Sequence, residues 1–247
     1  MNKLYLKSVD INKTKIPTNN YIYNLPIIKN FKKINFKRPV TIFVGENGMG
    51  KSTLIEAIAI KWGFNPEGGG IHFNFQTRLT HSELNKYIKL IKTPYHPRDG
   101  YFLRAESLYN VASNIEDLDS VKCNAPPISK AYGGKSLHNR SHGESFLSIF
   151  FKRFFGNGLY ILDEPEAALS PISQMSLLIR INELVNLNSQ FIISTHSPIL
   201  LATPHAQIFE IKKNGIFEKQ YFETDHYKLM KNFFENPNQI LKSLLKK

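Results

Sequence analysis

The sequence contains very little cysteine and no long apolar segment. Cys123 is its single cysteine, so no disulfide can form within the chain, and this usage suits a reducing compartment. No apolar run approaches the roughly 18 residues that a transmembrane helix needs. Lys3 and Lys7 interrupt the N-terminal segment too early for a secretory signal. We therefore expect a cytoplasmic protein.

Acidic residues are scarce relative to basic ones. The chain has 32 lysines and arginines against 20 aspartates and glutamates, which gives a formal net charge of +12. A charge of this sign indicates nucleic acid or another anionic surface as a partner. Lysine-rich residue usage explains the same number, because the lysines are spread along the chain rather than gathered in one run. Both explanations stay open.

A strand, a glycine-rich loop and a helix follow one another directly in this chain. Val40–Val44 is a short β-branched and apolar run, as a buried strand requires. Residues 45–52 read Gly-Glu-Asn-Gly-Met-Gly-Lys-Ser and fit the phosphate-loop pattern Gly-x-x-x-x-Gly-Lys-Ser without a mismatch. Apolar residues then fall on one face of a helix, at Leu54, Ile55, Ile58 and Trp62. The sequence therefore predicts an α/β fold built around a phosphate loop.

The loop contains the residue types that phosphate binding requires. Glycines let the backbone curl so that several N–H groups point at one phosphate chain, and the following helix adds the positive end of its dipole. Lys51 is expected to reach the β- and γ-phosphates, and the Ser52 hydroxyl to bind Mg²⁺. The predicted nucleotide-binding residues are Gly45, Glu46, Asn47, Gly48, Met49, Gly50, Lys51, Ser52 and Thr53.

Polar residues also follow two later apolar strands. Gly158–Leu162 runs into Asp163 and Glu164, and Gln190–Ser194 is followed closely by His196. In a parallel α/β sheet, ligands bind at the carboxyl ends of the strands, where the phosphate loop also lies. Asp163 is therefore the expected Mg²⁺ ligand, and the Glu164 carboxylate can accept a proton from the attacking water.

A fourth polar segment, Ser141-His142-Gly143-Glu144, precedes an apolar run. Ser followed three residues later by Glu has the form of a capping box, which would make this only a well-capped helix. The alternative is a second phosphate-binding helix end. Taken alone, the pattern favours the cap.

The remaining segments carry weaker patterns. Ile71–Phe75 is predicted as a strand, and residues 107–140 as a short helix and a loop. Four apolar residues have helical spacing after a helix start near Thr80, namely Leu84, Tyr87, Ile88 and Ile91.

The C-terminal part begins with a predicted β-hairpin, Gln207–Ile211 and Ile216–Phe222, around the turn Asn214-Gly215. Two amphipathic helices are predicted near Tyr227–Phe234 and Pro237–Leu245. We expect them to pack on the core with their lysine faces in solvent; contact with a membrane or nucleic acid is the alternative.

The order of these motifs resembles the ATP-binding-cassette (ABC) ATPase family. Gly45–Ser52 matches its Walker A motif, and Leu159–Glu164 matches Walker B with the catalytic glutamate. Ser141–Glu144 resembles its signature Leu-Ser-Gly-Gly-Gln, Ala167–Ser170 the D-loop, and His196 the switch histidine. The chain looks similar to small soluble bacterial ATPases related to the chromosome-maintenance and DNA-repair branch.

Two parts of the chain depart from the family pattern. In the signature, Arg140 stands for Leu, His142 for the first Gly and Glu144 for Gln, while the serine and second glycine remain. No glutamine is evident for the Q-loop: Gln76 comes early, and neither Arg104 nor Glu106 is glutamine. Since that loop couples transporter cassettes to their membrane domains, its departure argues against transport.

The resemblance implies a fold, a domain organisation and a mechanism. The fold is a P-loop NTPase of ABC type, with a mixed central sheet flanked by helices. One domain, 1–247, would comprise a core lobe (1–80 and 156–225), a helical signature subdomain (about 81–155) and C-terminal helices (226–247). Two chains would pair head to tail around two ATP molecules, each between the Walker A of one chain and Ser141 of the other.

The roles implied for single residues follow from the same family. Mg²⁺ would be held by Ser52 and Asp163, and catalysis would use Lys51, Glu164 and His196. We rank action on nucleic acid first, a regulatory or defence ATPase that contacts a protein partner second, and a transporter's nucleotide-binding subunit third.

Overall fold

The computed structural model describes residues 3–70, 82–104, 108–120, 127–132, 134 and 142–245. The strands are β1 Leu6–Ile11, β2 Ile34–Asn35, β3 Val40–Gly45, β4 Gly69–Gly70, β5 Ile88–Lys92, β6 Asp99–Arg104, β7 Gly158–Asp163, β8 Gln190–Ser194, β9 Gln207–Lys212 and β10 Gly215–Lys219. The helices are α1 Tyr21–Asn24, α2 Pro26–Lys29, α3 Lys51–Trp62, α4 Leu108–Ser120, α5 His142–Ser148, α6 Pro171–Asn186, α7 Pro198–Leu201, α8 Asp225–Glu235 and α9 Pro237–Leu245.

The main sheet has the strand order β10-β9-β3-β8-β7-β6-β4. Its five central strands, β9 to β6, pair in parallel, while β10 and β4 add antiparallel edges. A second, antiparallel sheet has the order β2-β1-β5. The predicted fold class, an α/β P-loop fold with a mixed central sheet, is confirmed. The predicted division into lobes and a helical subdomain stays a prediction.

Apolar clusters cover both faces of the main sheet. On one face α3 lies against the sheet through Leu54, Ile55 and Ile58, together with apolar residues of β1 and β5. On the other face α6 and the segment after α5 pack around an aromatic series, in which the Phe154 and Tyr160 ring centroids are 4.2 Å apart. Strands buried on both faces read as continuous apolar runs, which is why β3, β7 and β8 are evident from sequence.

The helix predicted from Thr80 to Ile91 is wrong over its described part. Glu83–Lys86 forms a single 3₁₀ turn, and Ile88–Lys92 is the strand β5, paired antiparallel with β1. Ser82 caps that turn by accepting a hydrogen bond from the Leu84 N–H. Leu84 and Ile88 are both buried, so their spacing reflects a turn followed by a strand that share one core.

Two other predictions concern segments that lie wholly or partly outside the described residues. The strand predicted at Ile71–Phe75 lies outside them, as do Gln76 and Glu106. In the region 107–140, α4 runs for 13 residues, and Ile128–Tyr132 adds a 3₁₀ turn. The helix predicted here is present.

The C-terminal elements are found where they are predicted, but not with the predicted packing. The hairpin is β9–β10, and the two helices are α8 and α9. In residues 225–245, all of them described, no side chain is buried, so the expected packing on the core is wrong. Among the described residues, no helix combines the length and the apolarity needed to cross a bilayer.

Candidate active site

The phosphate loop connects the end of β3 to the start of α3. Its turn depends on backbone conformations that glycine adopts readily: φ is 76° at Gly48 and 92° at Gly50. A Cβ on Gly50 would also lie 2.6 Å from the Ile27 side chain. Because α3 begins at Lys51, the phosphate loop ends at a helix N-terminus, whose first-turn N–H groups are suited to binding phosphate oxygens.

The Lys51 side chain is buried, and it lies against the backbone of the phosphate loop. Only 4% of the residue is exposed, and its Nζ donates hydrogen bonds to the carbonyl oxygens of Gly45 (2.7 Å) and Glu46 (2.9 Å). Burial lowers the pKa of Lys51, while the nearby carboxylates of Glu164, Asp163 and Glu166 act in the opposite direction. A phosphate chain would offer this ammonium charge-assisted hydrogen bonds in place of those to neutral carbonyls.

Asp163, the last residue of β7, lies beside the start of α3. It is directly opposite Ser194 at the end of β8, whose hydroxyl donates it a hydrogen bond. Burial raises the pKa of Asp163, and hydrogen bonds from Ser194 and Ser52 and the charge of Arg104 partly offset this rise. The two predicted Mg²⁺ ligands, Ser52 and Asp163, are therefore close to one another.

Glu164 and His196 form the exposed side of the site. Glu164 Oε1 is 3.6 Å from His196 Nε2, and their side chains are 40% and 31% exposed. Glu164 has a φ of 49°, a left-handed conformation that glutamate rarely adopts, and its N–H donates to the Ser194 carbonyl (3.0 Å). Burial and the charge of Lys51 lower the pKa of His196, which favours the neutral imidazole.

Arg104 and Glu56 belong to this site, although the motifs did not identify them. Arg104 ends β6 directly opposite Asp163 in the register of β6 and β7. Its Nη1 is 2.5 Å from Glu56 Oε2 on α3, and its Nε is 3.9 Å from Asp163 Oδ2. Arg104 thus stands between two buried carboxylates. The strand-end rule that identifies Asp163 applies equally to Arg104, whereas Glu56 requires knowledge of the packing.

Glu166 is a half-buried glutamate that the motifs missed. Its Oε1 accepts a hydrogen bond from the backbone N–H of His196, so it links the turn after β7 to the turn after β8. Burial raises the pKa of Glu166, and the His196 N–H partly offsets this rise. This carboxylate therefore fixes the backbone of the candidate switch histidine.

The candidate signature segment is described from α5 onward, and Ser141 lies outside the described residues. Within α5, a Cβ on Gly143 would lie 2.9 Å from the Ala168 carbonyl oxygen. Gly143 therefore allows α5 to approach the turn Pro165–Ala168, directly after Glu164. Whether Ser141 caps α5, contacts phosphate or does both stays a prediction.

The donors at the site fit Mg²⁺. Among the described residues, no group of three or more His, Cys, Asp or Glu side chains could hold a metal ion by itself. Mg²⁺ commonly uses one or two protein oxygens and takes its other ligands from water and nucleotide phosphates. The Asp163 carboxylate and Ser52 hydroxyl, both hard oxygen donors beside the phosphate loop, meet that requirement.

Comparisons with known proteins identify the family and support the fold. A family model described as an AAA ATPase domain matches residues 76–201, and one described as an AAA domain matches residues 21–123. A metal-chelate type ABC transporter in an inward-facing conformation is similar in structure (15% identity, TM-score 0.50, covering 92% of this chain and 88% of that chain).

Two cassettes with TM-scores of 0.45 are also similar. One is MJ1267, an ATP-binding cassette of an ABC transporter, in its ADP conformation (17% identity; 87% of this chain and 91% of that chain). The other is cbiO1 from Clostridium perfringens, part of the ABC transporter complex cbiONQ (19% identity; 86% and 90%). A search of curated proteins gave no match.

The AAA ATPase match covers just over half of the 247 residues and includes β7, β8 and the residues at their ends. At 15% identity, the structural likeness adds the fold alone. The chain therefore belongs to the AAA ATPase domain family and is an ATP hydrolase with the fold of an ABC-type cassette.

Proposed function

We propose that the chain hydrolyses ATP with Mg²⁺ at the site formed by the phosphate loop and the ends of β7 and β8. The observation that carries this proposal is the convergence of Lys51, Asp163, Glu164 and His196 at neighbouring strand ends. Phosphoryl transfer depends mainly on positioning and charge neutralisation, and these side chains supply both.

Each side chain has a role in the proposed reaction. The Lys51 ammonium and the N–H groups of the loop bind the β- and γ-phosphates. Ser52 and Asp163 hold Mg²⁺, which when bound neutralises phosphate charge. Glu164 orients the attacking water and accepts its proton, while the His196 imidazole contacts the γ-phosphate. The distance of 3.6 Å between Glu164 Oε1 and His196 Nε2 supports the joint action of these two side chains on one water molecule.

We propose further that two chains share each ATP. Glu164 and His196 are partly exposed, so their side of the site is open to a second chain. In the head-to-tail arrangement, Ser141 and Gly143 of that chain would cover the γ-phosphate. Gly143 already packs on the turn after Glu164 within its own chain, which supports a mechanical connection between neighbouring ATP sites.

We propose nucleic acid as the effector and a role other than transport. The net charge of +12 favours a polyanionic partner. Arg104 stands at the end of β6, where a Q-loop glutamine would be expected in a transporter cassette, and it is held by Glu56.

The effector is tested by measuring ATP turnover with and without duplex DNA and single-stranded RNA. We expect a several-fold stimulation, and binding that weakens linearly on a double-logarithmic plot against salt. Lys51→Ala should bind nucleic acid without any stimulated turnover, which separates binding from hydrolysis. If neither nucleic acid binds at low ionic strength, the effector is not nucleic acid, whereas the hydrolysis proposal is unaffected.

A further inference from the structure

The C-terminal helix pair, defined as α8 and α9, lies against the body of the protein without burying any of its own side chains. On α8, the residues that face the body, His226, Tyr227 and Met230, are only partly shielded. On α9, Ile240 alone is partly shielded, and the remaining residues are exposed. The core of the domain therefore does not account for the amphipathic pattern of these two helices.

The exposed apolar side chains of the pair are large and regularly spaced. On α8, Leu229 and Phe233 are four residues apart, and on α9 Leu241, Leu244 and Leu245 follow the three-and-four spacing of one helix face. Exposure is 64% for Leu229, 69% for Phe234, 71% for Leu244 and 76% for Leu245. Clustered exposed side chains of this size indicate an interaction surface.

The polar side of the pair is basic. From position 225 to the end of the sequence there are five lysines and two acidic residues, a net charge of +3 with histidine neutral. Both acidic residues already have cationic neighbours: Asp225 is paired with Lys212, and Glu235 Oε1 is 3.8 Å from Lys231 Nζ. Lys228 and Lys242 add to the basic character of the pair.

We propose that the C-terminal helix pair docks on an anionic lipid bilayer. Helices with an apolar face of Leu and Phe and a polar face rich in lysine lie in the plane of a membrane interface, where apolar burial and attraction to anionic headgroups act together. A nucleic acid would neutralise the charge of the lysines but would not bury the leucines. A second copy would cover the leucines but bring like charges together. An anionic bilayer would bury the leucines and neutralise the charge of the lysines.

The test is flotation of the full chain with vesicles of phosphatidylcholine alone and of phosphatidylcholine with phosphatidylglycerol. We expect tight binding only to the anionic vesicles. The variant Leu241→Ser/Leu244→Ser/Leu245→Ser should bind them roughly tenfold more weakly or worse. Its matched control is Ile172→Ser/Met175→Ser/Ile179→Ser, which removes an equally exposed apolar stripe from α6 and should bind like the parent chain.

Three results would overturn the proposal. The first is equal flotation with neutral and anionic vesicles, or with neither. The second is equal loss of binding in the α6 control and the α9 variant. The third is a change in molar mass by light scattering, without vesicles, when the three α9 leucines are replaced, because a second copy would then be the occupant. Circular dichroism melting of each variant ensures that folded proteins are compared.

Discussion

Replacing Glu164 by glutamine should lower ATP turnover by roughly 10²- to 10³-fold while leaving ATP binding intact. Glutamine keeps the size of the side chain and its place near His196 Nε2, but it cannot accept a proton from water at neutral pH. Binding uses the phosphate loop, Lys51 and the metal ligands, which this change leaves in place. Bound ATP should therefore persist and hold two chains together.

Light scattering with Mg²⁺ and ATP measures that outcome, because Glu164→Gln should have the molar mass of a dimer while the parent chain returns to its nucleotide-free mass after turnover. Glu183→Gln is the matched control, since Glu183 is an exposed glutamate on α6 that pairs with the half-buried Arg180. It should turn over ATP normally. Full activity of Glu164→Gln would remove Glu164 from the catalytic role.

Replacing Asp163 by asparagine should have two opposite effects. Hydrolysis should fall by roughly 10²-fold or more, because the site loses its one carboxylate ligand for Mg²⁺. The free protein should become more stable by about 1 kcal/mol, which corresponds to about 2–4 °C in melting temperature. Asparagine keeps an oxygen to accept the hydrogen bond from Ser194 but carries no charge that must be buried.

The pH dependence of this stability difference follows from the raised pKa of Asp163. Burial raises that pKa above its unfolded value, so the folded protein binds the proton more tightly than the unfolded chain. The ionised carboxyl therefore destabilises the fold most above its folded-state pKa. This destabilisation declines as pH falls through that pKa and is gone below the unfolded-state pKa. The gain from Asp163→Asn should be largest at neutral pH and shrink in acid.

Asp99→Asn is a control for which we expect the opposite change in the free energy of unfolding. Asp99 is also an aspartate of the main sheet, but it lies at the other end of β6 and is paired with Arg153 (Oδ1 to Nη1, 2.7 Å). It also accepts a hydrogen bond from the Tyr160 hydroxyl (2.7 Å). Asp99→Asn should lower the free energy of unfolding by about 1–3 kcal/mol and leave the ATP site unaffected. Equal melting shifts in the two variants would contradict this account.

The sequence predicts the motifs that lie within one segment better than the contacts between side chains that are far apart in the chain. The phosphate loop is recognisable because its phosphate-binding residues lie within eight consecutive positions. Asp163, Glu164 and His196 are recognisable because they stand at or just after the ends of apolar strands. Arg104 also ends an apolar strand, so the same rule applies to it, but its pairing with Glu56 depends on how α3 packs on the sheet, which no single run of residues shows.

The two fold predictions that failed have physical causes. Leu84 and Ile88 have helical spacing, but pairing with the β1 edge competes successfully with helix formation after Lys86. The C-terminal helices have the amphipathic pattern of core-packed helices, and a pattern alone does not specify which apolar surface covers it. In the first case a long-range strand pairing overrides the local pattern, whereas in the second the helices form as the pattern predicts but are not buried against the core.

The most direct test of the shared ATP site is to mix two inactive variants. Lys51→Ala disables the phosphate loop, and Ser141→Arg disables the proposed signature, so each should be inactive alone. In a mixed head-to-tail pair, one ATP site combines the intact loop of one chain with the intact signature of the other. We predict that mixing restores measurable Mg²⁺-dependent hydrolysis. If the mixture stays as inactive as its components while each variant remains folded, ATP is not shared between two chains.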